Sequence, residues 1–399
     1  MSNAVADGRG YRLSSIDMLR GLVIVIMAID HCRDFFMLAG VQDPMHDPNI
    51  TPALFLTRWI THFCAPVFVL LAGTSAGLMA ARKGASAMGR FLLLRGLWLI
   101  AVECFVISTA FTFSPGGVAQ VGGHVLVPLQ VIWAIGASMV ALSGAQFLGR
   151  RTCLGIGAAI ILCHNLLDPV WPVTGMFDMQ WPIWVALHSG MSMILGPFHF
   201  MFAYPLLPWI GVMLLGYGSS GLFELPPERR NARLLRIGLA LCVAFVAVRA
   251  LDVYGDPHAF RPHADGLSAT VMAFLNTTKY PPSLLYLLMT LGPAAVFCAF
   301  ADRMQGAIKD GLVMFGRVPF AFYVAHFYLI HALSVLLGLY QGFSLHEMLN
   351  IFLFYPKGYG VPLPGVYAFW VVVLAVLYPF CRWVAGVKAR RRDWWLSYL

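Results

Sequence analysis

Little of this chain is charged: Asp, Glu, Lys and Arg make up 11% of its 399 residues, while 59% are hydrophobic. A soluble domain carries roughly 25% charged residues, so this sequence lacks a polar shell adequate for water. With a mean hydropathy of +0.75 it reads as a polytopic membrane protein. Paired cysteines are missing too. The eight cysteines (32, 64, 104, 153, 163, 242, 298 and 381) lie in or beside apolar runs and none forms a CxxC, which argues against a zinc site or a disulfide framework. They read as small buried apolar residues. There is no low-complexity tract, no soluble domain and no clear internal repeat. The pairs Gly116-Gly117 and Gly122-Gly123 lack the spacing of a phosphate-cradling loop. The net charge of +9 would suggest nucleic acid in a soluble protein. Here it orients loops instead, and no nucleic-acid partner is expected.

What is abundant is apolar sequence in helix-length runs. Ten spans are expected, near 16–38, 59–81, 91–113, 125–148, 152–167, 199–222, 234–251, 282–301, 312–339 and 364–386. The run 152–167 is short; 312–339 is long enough to tilt or break. With the N-terminus inside, the outer segments hold Arg33, Arg58, Arg249, Arg261, Lys279 and Lys357, Arg20 and Arg382 lie within spans, and the other nineteen of the 27 Lys and Arg fall in inner segments. That bias supports an all-α bundle of 10–11 helices with both termini cytoplasmic. The whole chain, 1–399, reads as one transmembrane domain with a cytoplasmic tail at 1–14 and a basic tail at 388–399. The first span carries charges and no Ala-x-Ala site follows it, so it reads as a retained helix rather than a cleaved signal. The long outer segments are 168–198, rich in Trp and Pro and expected at the interface, and 252–281, with His258, His263 and Lys279.

The first span, SIDMLRGLVIVIMAIDHCRDFF from Ser15 to Phe36, carries charge at both ends of its oiliest run. Arg20 and His31 are eleven residues apart, so they lie within about 20° of the same face and about 16 Å apart along the axis. Asp17 lies one turn below Arg20, and Asp34 lies one turn beyond His31 on the same stripe. An ionisable group near the bilayer centre costs roughly 2.5–3.5 kcal/mol. The line is therefore expected to face protein interior or a wet cavity, with Asp17–Arg20 a structural pair. A histidine beside carboxylates over a cavity can remove a proton from an incoming hydroxyl or amine; that assigns catalysis to His31 with Asp30 or Asp34 tuning it.

Further candidates lie elsewhere. His62 opens the second span at the outer level, where it would hold a substrate or orient the base. Glu103 is buried mid-span and is expected to pair with Arg95 or Arg20. Lys279-Tyr280-Pro281-Pro282-Ser283 opens a helix at the outer mouth, where Lys279, Tyr280 and Ser283 are substrate-binding candidates. His326 and His331 differ in direction by about 140°; His326 is expected to face the core and His331, nearer the outer end, to join His31.

The Arg20-x10-His31 spacing resembles the Arg/Lys-x10-His signature of membrane acyltransferases, including those that O-acetylate surface sugars. The block SIDMLRG…DHCRDFF is similar to bacterial proteins related to lysosomal heparan-α-glucosaminide N-acetyltransferase. So are His62-Phe63-Cys64-Ala65-Pro66-Val67-Phe68, Leu71-Ala72-Gly73-Thr74, Pro208-Trp209-Ile210-Gly211, Lys279 to Leu284 and Phe315-Gly316-Arg317-Val318-Pro319-Phe320. The resemblance runs over roughly residues 12–385. It implies that acetyl-CoA, as co-substrate, binds from the cytoplasm and that its acetyl group reaches a hydroxyl or amine of an acceptor, a sugar or glycan, on the far face. His31 would act as general base or be transiently acetylated. Arg20, Arg95 and Arg317 are the inner-side cations expected on the phosphates of CoA. The expected setting is a bacterial inner (cytoplasmic) membrane, with lipids and a glycan or small-molecule acceptor as partners, a homodimer allowed, and neither metal nor haem. Haem would need histidine pairs at matching depths on two helices, and no second pair is evident. The competing class is a proton-coupled transporter or flippase using Asp30, His31 and Glu103. Inverted repeats would favour it, and none is seen.

Overall fold

A computed structural model describes residues 14–38, 45, 50–169, 183–262, 266–391 and 393. Helix α1, Ser14–Phe36, packs against helices on several sides, which is how five charged side chains are kept from lipid. The segment after it bends. Thr51 caps α2, Pro52–Thr61, by accepting from the Leu54 amide, and the helix pauses at His62 and Phe63 before α3, Cys64–Ala80. Together they make one angled rod.

Helix α4, Ala85–Val102, runs into a π-turn at Glu103–Ile107 and then α5, Ser108–Thr112, which ends on Phe113 in the left-handed region at φ 45°. The expected spans 125–148 and 199–222 both begin as strand instead. Strand β1, Val125–Leu129, precedes helix α6, Val131–Ala145, and α7, Arg150–Cys163. Strands β2, Met191–Leu195, and β3, Phe198–Phe202, precede α8, Leu206–Ser219. The sheet order is β1-β3-β2, with β1 parallel and β2 antiparallel to β3. Short apolar runs fit strand or helix equally well by periodicity; here pairing between segments distant in sequence decides. The part of 168–198 expected at the interface thus supplies β2, while 170–182 and His263 lie outside the described residues.

The remaining helices are α9, Pro227–Leu251; α10, Leu267–Leu275; α11, Leu284–Ala301; α12, Ala307–Arg317; α13, Pro319–Tyr340; α14, Leu345–Met348; and α15, Leu363–Arg390. The expected span 312–339 breaks at Pro319, because a residue before proline is disfavoured in the α region; Val318 sits at φ −132°, ψ 48°. Arg249, one of the expected outer charges, is buried and donates to the carbonyls of Ala273, Phe274 and Asn276, closing the C-terminus of α10.

Eight helical segments among the described residues are long and apolar enough to cross a membrane: 52–80, 85–112, 131–148, 206–224, 227–251, 284–301, 319–340 and 363–390. Of these α11 is the most buried, and α9 and α15 are the least. Helix α1 has the length, at 23 residues, but carries Asp17, Arg20, Asp30, Arg33 and Asp34. Helix α7 has only 14 residues. The protein is an all-α polytopic bundle, integral to a membrane.

Around α1 lie α2, α3, α11, α12, α13 and α15. Its crossing with α12 is a backbone contact: a methyl group at Gly21 would strike the Leu312 carbonyl, and one at Gly316 would strike that of Asp17. Two glycines therefore set how closely Asp17 and Arg20 approach Arg317.

Candidate active site along the first helix

At the Arg20 end of α1 a cavity of about 1030 Å³ opens between α1, α3, α4, α6, α12 and α13. Its wall includes Arg20, Arg82, Arg95, Arg317 and Lys388, against the carboxylates of Asp17 and Glu224. The three cations singled out in sequence, from three different helices, thus meet in one space. Two of them are placed by local causes. Arg20 is held by Asp17 at 3.2 Å, the expected pair, and donates to the Ser75 hydroxyl across the gap to α3. Arg317 ends α12 because Pro319 follows, and a helix C-terminus favours a cation. Apolar side chains, among them Phe68, Leu99, Ile132 and Phe320, line the rest, with Tyr323 of α13 in the wall. Such a space suits a long molecule with an anionic head and a less polar tail.

The other end of α1 is organised differently. Asp30 is buried and accepts two hydrogen bonds from Arg58, at 2.6 and 2.9 Å, and pairs with Arg33 at 3.1 Å; Arg33 also holds Asp34. Four charges thus neutralise one another across α1 and α2. Neither carboxylate hydrogen-bonds His31, whose Nδ1 is buried without a partner. The influence of Asp30 on that ring is through the field. Arg58 was visible in sequence only as an outer-side cation. It lies one turn before His62, and that spacing was the signal available.

His31 itself is half-buried and packed in rings: Phe327 at 4.3 Å and His326 at 5.1 Å between centroids, with Phe111 edge-on at 6.4 Å. The imidazole faces protein, not lipid. Of the two histidines on α13 it is His326, rather than the expected His331, that meets His31. His331 lies further along, stacked on Phe113 at 3.8 Å and bonded through Nδ1 to the Ala110 carbonyl. Tyr323, His326, Phe327 and Ile330 are one helical stripe; reading that stripe whole would have found His326.

His62 sits at the bend between α2 and α3. Its ring is 5.4 Å from that of Tyr286, and its Nδ1 is buried without a partner. It shares with His31 the charged neighbours Asp30, Arg33, Arg58 and Lys279. Lys279 lies over the Tyr280 ring at 5.2 Å, and Tyr280 packs against Tyr204. Ser283, by contrast, is fully engaged: it accepts from the Tyr286 amide to cap α11 and donates to Asp256 at 2.7 Å. Asp256 also accepts from the amide and hydroxyl of Thr278, so this buried carboxylate fixes the segment that carries Lys279.

The expected pairing of Glu103 with a cation is not what the structure has. Its carboxylate accepts from the amides of Gln130 and Trp133, at 3.3 and 2.9 Å, at the start of α6. A helix N-terminus offers unpaired amides and a positive end, which serves a buried carboxylate as a cation would.

The polar line on α1 therefore joins two unlike places, an open cationic cavity and a closed ion network, with a histidine among rings between them. A family model described as the heparan-α-glucosaminide N-acetyltransferase catalytic domain matches residues 12–255. The match takes in Arg20, Asp30, His31, Asp34, Arg58, His62 and Arg95, while Lys279, Tyr280, Ser283, Arg317, His326 and His331 lie beyond it. No individual curated protein matches the chain. With its charged first helix buried at the centre of a membrane bundle and most of its length matched, the chain belongs to the heparan-α-glucosaminide N-acetyltransferase catalytic family, a family of transmembrane acetyltransferases.

Proposed function

We propose that the whole chain works as one transmembrane acyltransferase domain that takes acetyl from cytoplasmic acetyl-CoA and delivers it to an amine or hydroxyl of a glycan on the far side of a bacterial cytoplasmic membrane. The acceptor class we favour is a glucosamine-type sugar, after the activity in the family's name. The observation that carries this reading is the cavity wall. Arg20, Arg95 and Arg317 converge there with Arg82 and Lys388, and the same wall contains Tyr323, whose ring is 5.4 Å from that of His326, itself 5.1 Å from His31. Phosphates of CoA held by guanidinium forks would leave the thioester arm to run along α1 toward His31, about 16 Å further on.

At that point His31 receives the proton of the acceptor as its nitrogen or oxygen attacks the thioester carbonyl, or else carries the acetyl group itself before handing it on. Asp30 and Asp34, tied to Arg33 and Arg58, hold the end of α1 that presents His31. Lys279, Tyr280 and His62 are assigned to the acceptor, His331 to the rings on that side, and Ser283 supports the segment from beneath. Positive charge concentrated on the Arg20 side supports a cytoplasmic placement of that end and of both termini.

The test uses purified protein in lipid nanodiscs with labelled acetyl-CoA and glucosamine as probe acceptor. Acetyl-CoA should be consumed and N-acetylglucosamine formed. His31→Ala should abolish product while CoA still binds. No turnover by the unaltered protein, or equal turnover by His31→Ala, overturns the reading.

A further inference from the structure

Acetyl transfer leaves a proton in the wrong place. The acceptor gives one up to His31, and the departing thiolate on the cavity side needs one. Two further groups lie between these points. Tyr323 forms part of the cavity wall, and its ring is 5.4 Å from that of His326, one turn along α13. The His326 ring is 5.1 Å from that of His31.

The hydrogen bonding of His326 settles its tautomer. Its Nδ1 faces the backbone carbonyl of Tyr323, which can only accept, so Nδ1 carries the hydrogen and Nε2 keeps its lone pair. That Nε2 is buried with no partner, and so are the Nδ1 of His31 and the hydroxyl of Tyr323. Buried polar atoms are nearly always hydrogen-bonded. Unpaired buried atoms occur elsewhere in the described residues, but these three follow one another among Phe111, Phe322 and Phe327 from His31 to the cavity wall. They make sense as atoms that exchange protons and tighten only when substrate is bound.

We propose that His326 and Tyr323 return the proton to the leaving group, an inference that rests on the acetyl-transfer reading. As the acceptor attacks, its bond to the acetyl carbon forms, the carbon–sulfur bond breaks and the electron pair leaves with sulfur. His31 takes the acceptor proton and passes one to Nε2 of His326. Tyr323, the catalytic residue at the cavity, protonates the thiolate and is refilled from His326, a relay residue that touches no substrate. The acceptor has lost one proton, CoA leaves as thiol, and all three side chains regain their starting charge.

The experiment compares Tyr323→Phe and His326→Gln on two donors, acetyl-CoA and acetyl-seleno-CoA, with glucosamine as probe acceptor. A selenolate is so weak a base that it leaves unprotonated near neutral pH. With acetyl-CoA, kcat should fall about a hundredfold, in the range of general acid–base catalysis, with KM for the donor unchanged. With the selenoester the loss should shrink to a few-fold. Equal losses on both donors, or no loss on either, overturn the proposal. Binding of CoA by titration checks that each variant is folded; Tyr323→Phe, which removes one oxygen, carries the test if His326→Gln does not fold. If the unaltered protein transfers acetyl from neither donor, it is the acetyltransferase reading that fails, and the two failures are told apart.

Discussion

The two ends of α1 carry similar charges and use them in opposite ways. At one end Asp17 and Arg20 form part of the wall of a cavity of about 1030 Å³, where cations outnumber carboxylates. At the other, Asp30, Arg33 and Arg58 are buried, Asp34 is partly so, and the four are matched two against two. Excess charge on an open wall invites an anionic ligand. Balanced charge in a closed network holds backbone in place, because removing one member strands another without water. The lesson is that a charged residue in a membrane helix marks an anion-binding site only when its neighbours leave charge over.

The sharpest way to break this contrast is at the closed end. Arg58→Ala should destabilise the protein by about 3–5 kcal/mol, the usual consequence of stranding a buried partner, read as a lower unfolding temperature in detergent. Pairing it with Asp30→Asn should recover part of the loss. An unchanged melting curve for Arg58→Ala would deny the closed end its structural role.

Next comes the close crossing of α1 and α12 beside the cavity. Gly316→Ala forces a methyl group into the Asp17 carbonyl and should cost about 1–3 kcal/mol as overpacking. By pushing α12 from α1 it should also weaken CoA binding, whereas a substitution such as Gly311→Ala, with open space around it, should not. Titration of both variants with CoA decides.

At the open end, Arg95→Ala and Arg317→Ala should each loosen CoA about ten- to a hundredfold, the equivalent of a charged hydrogen bond worth roughly 1.5–3 kcal/mol. Their melting temperatures should barely move. A large thermal shift with unchanged CoA affinity would reverse the assignment of the two ends. The smallest effect is expected of Lys279→Gln: a few-fold rise in KM for the glucosamine probe, with KM for acetyl-CoA unaltered.

Much of this was legible from residue order. Helix-length apolar runs pointed to a helical membrane bundle because bilayer thickness is a one-dimensional constraint, and the Arg20–His31 line followed from helical pitch alone. Arg20, Arg95 and Arg317 were singled out in sequence as inner-side cations, and in space the three line one cavity. What stayed hidden was every feature that needs two distant segments. Strand β1 finds its partner about seventy residues later, Glu103 finds amides on α6, and His326 rather than His331 meets His31. Periodicity reports which face a residue occupies and is silent on what that face touches.

The sequence by itself determined that this is a membrane bundle with a charged helix that must be sheltered, since those conclusions need only composition, length and pitch. Tertiary packing alone decided which charges stay available. Asp30 and Asp34 look as exposed to chemistry on paper as Arg20 does, yet Arg58 arrives from α2 to match Asp30, while α3, α4 and α12 leave room around Arg20. The energy of a buried charge depends on what stands within a few ångströms, and that distance is a property of the fold.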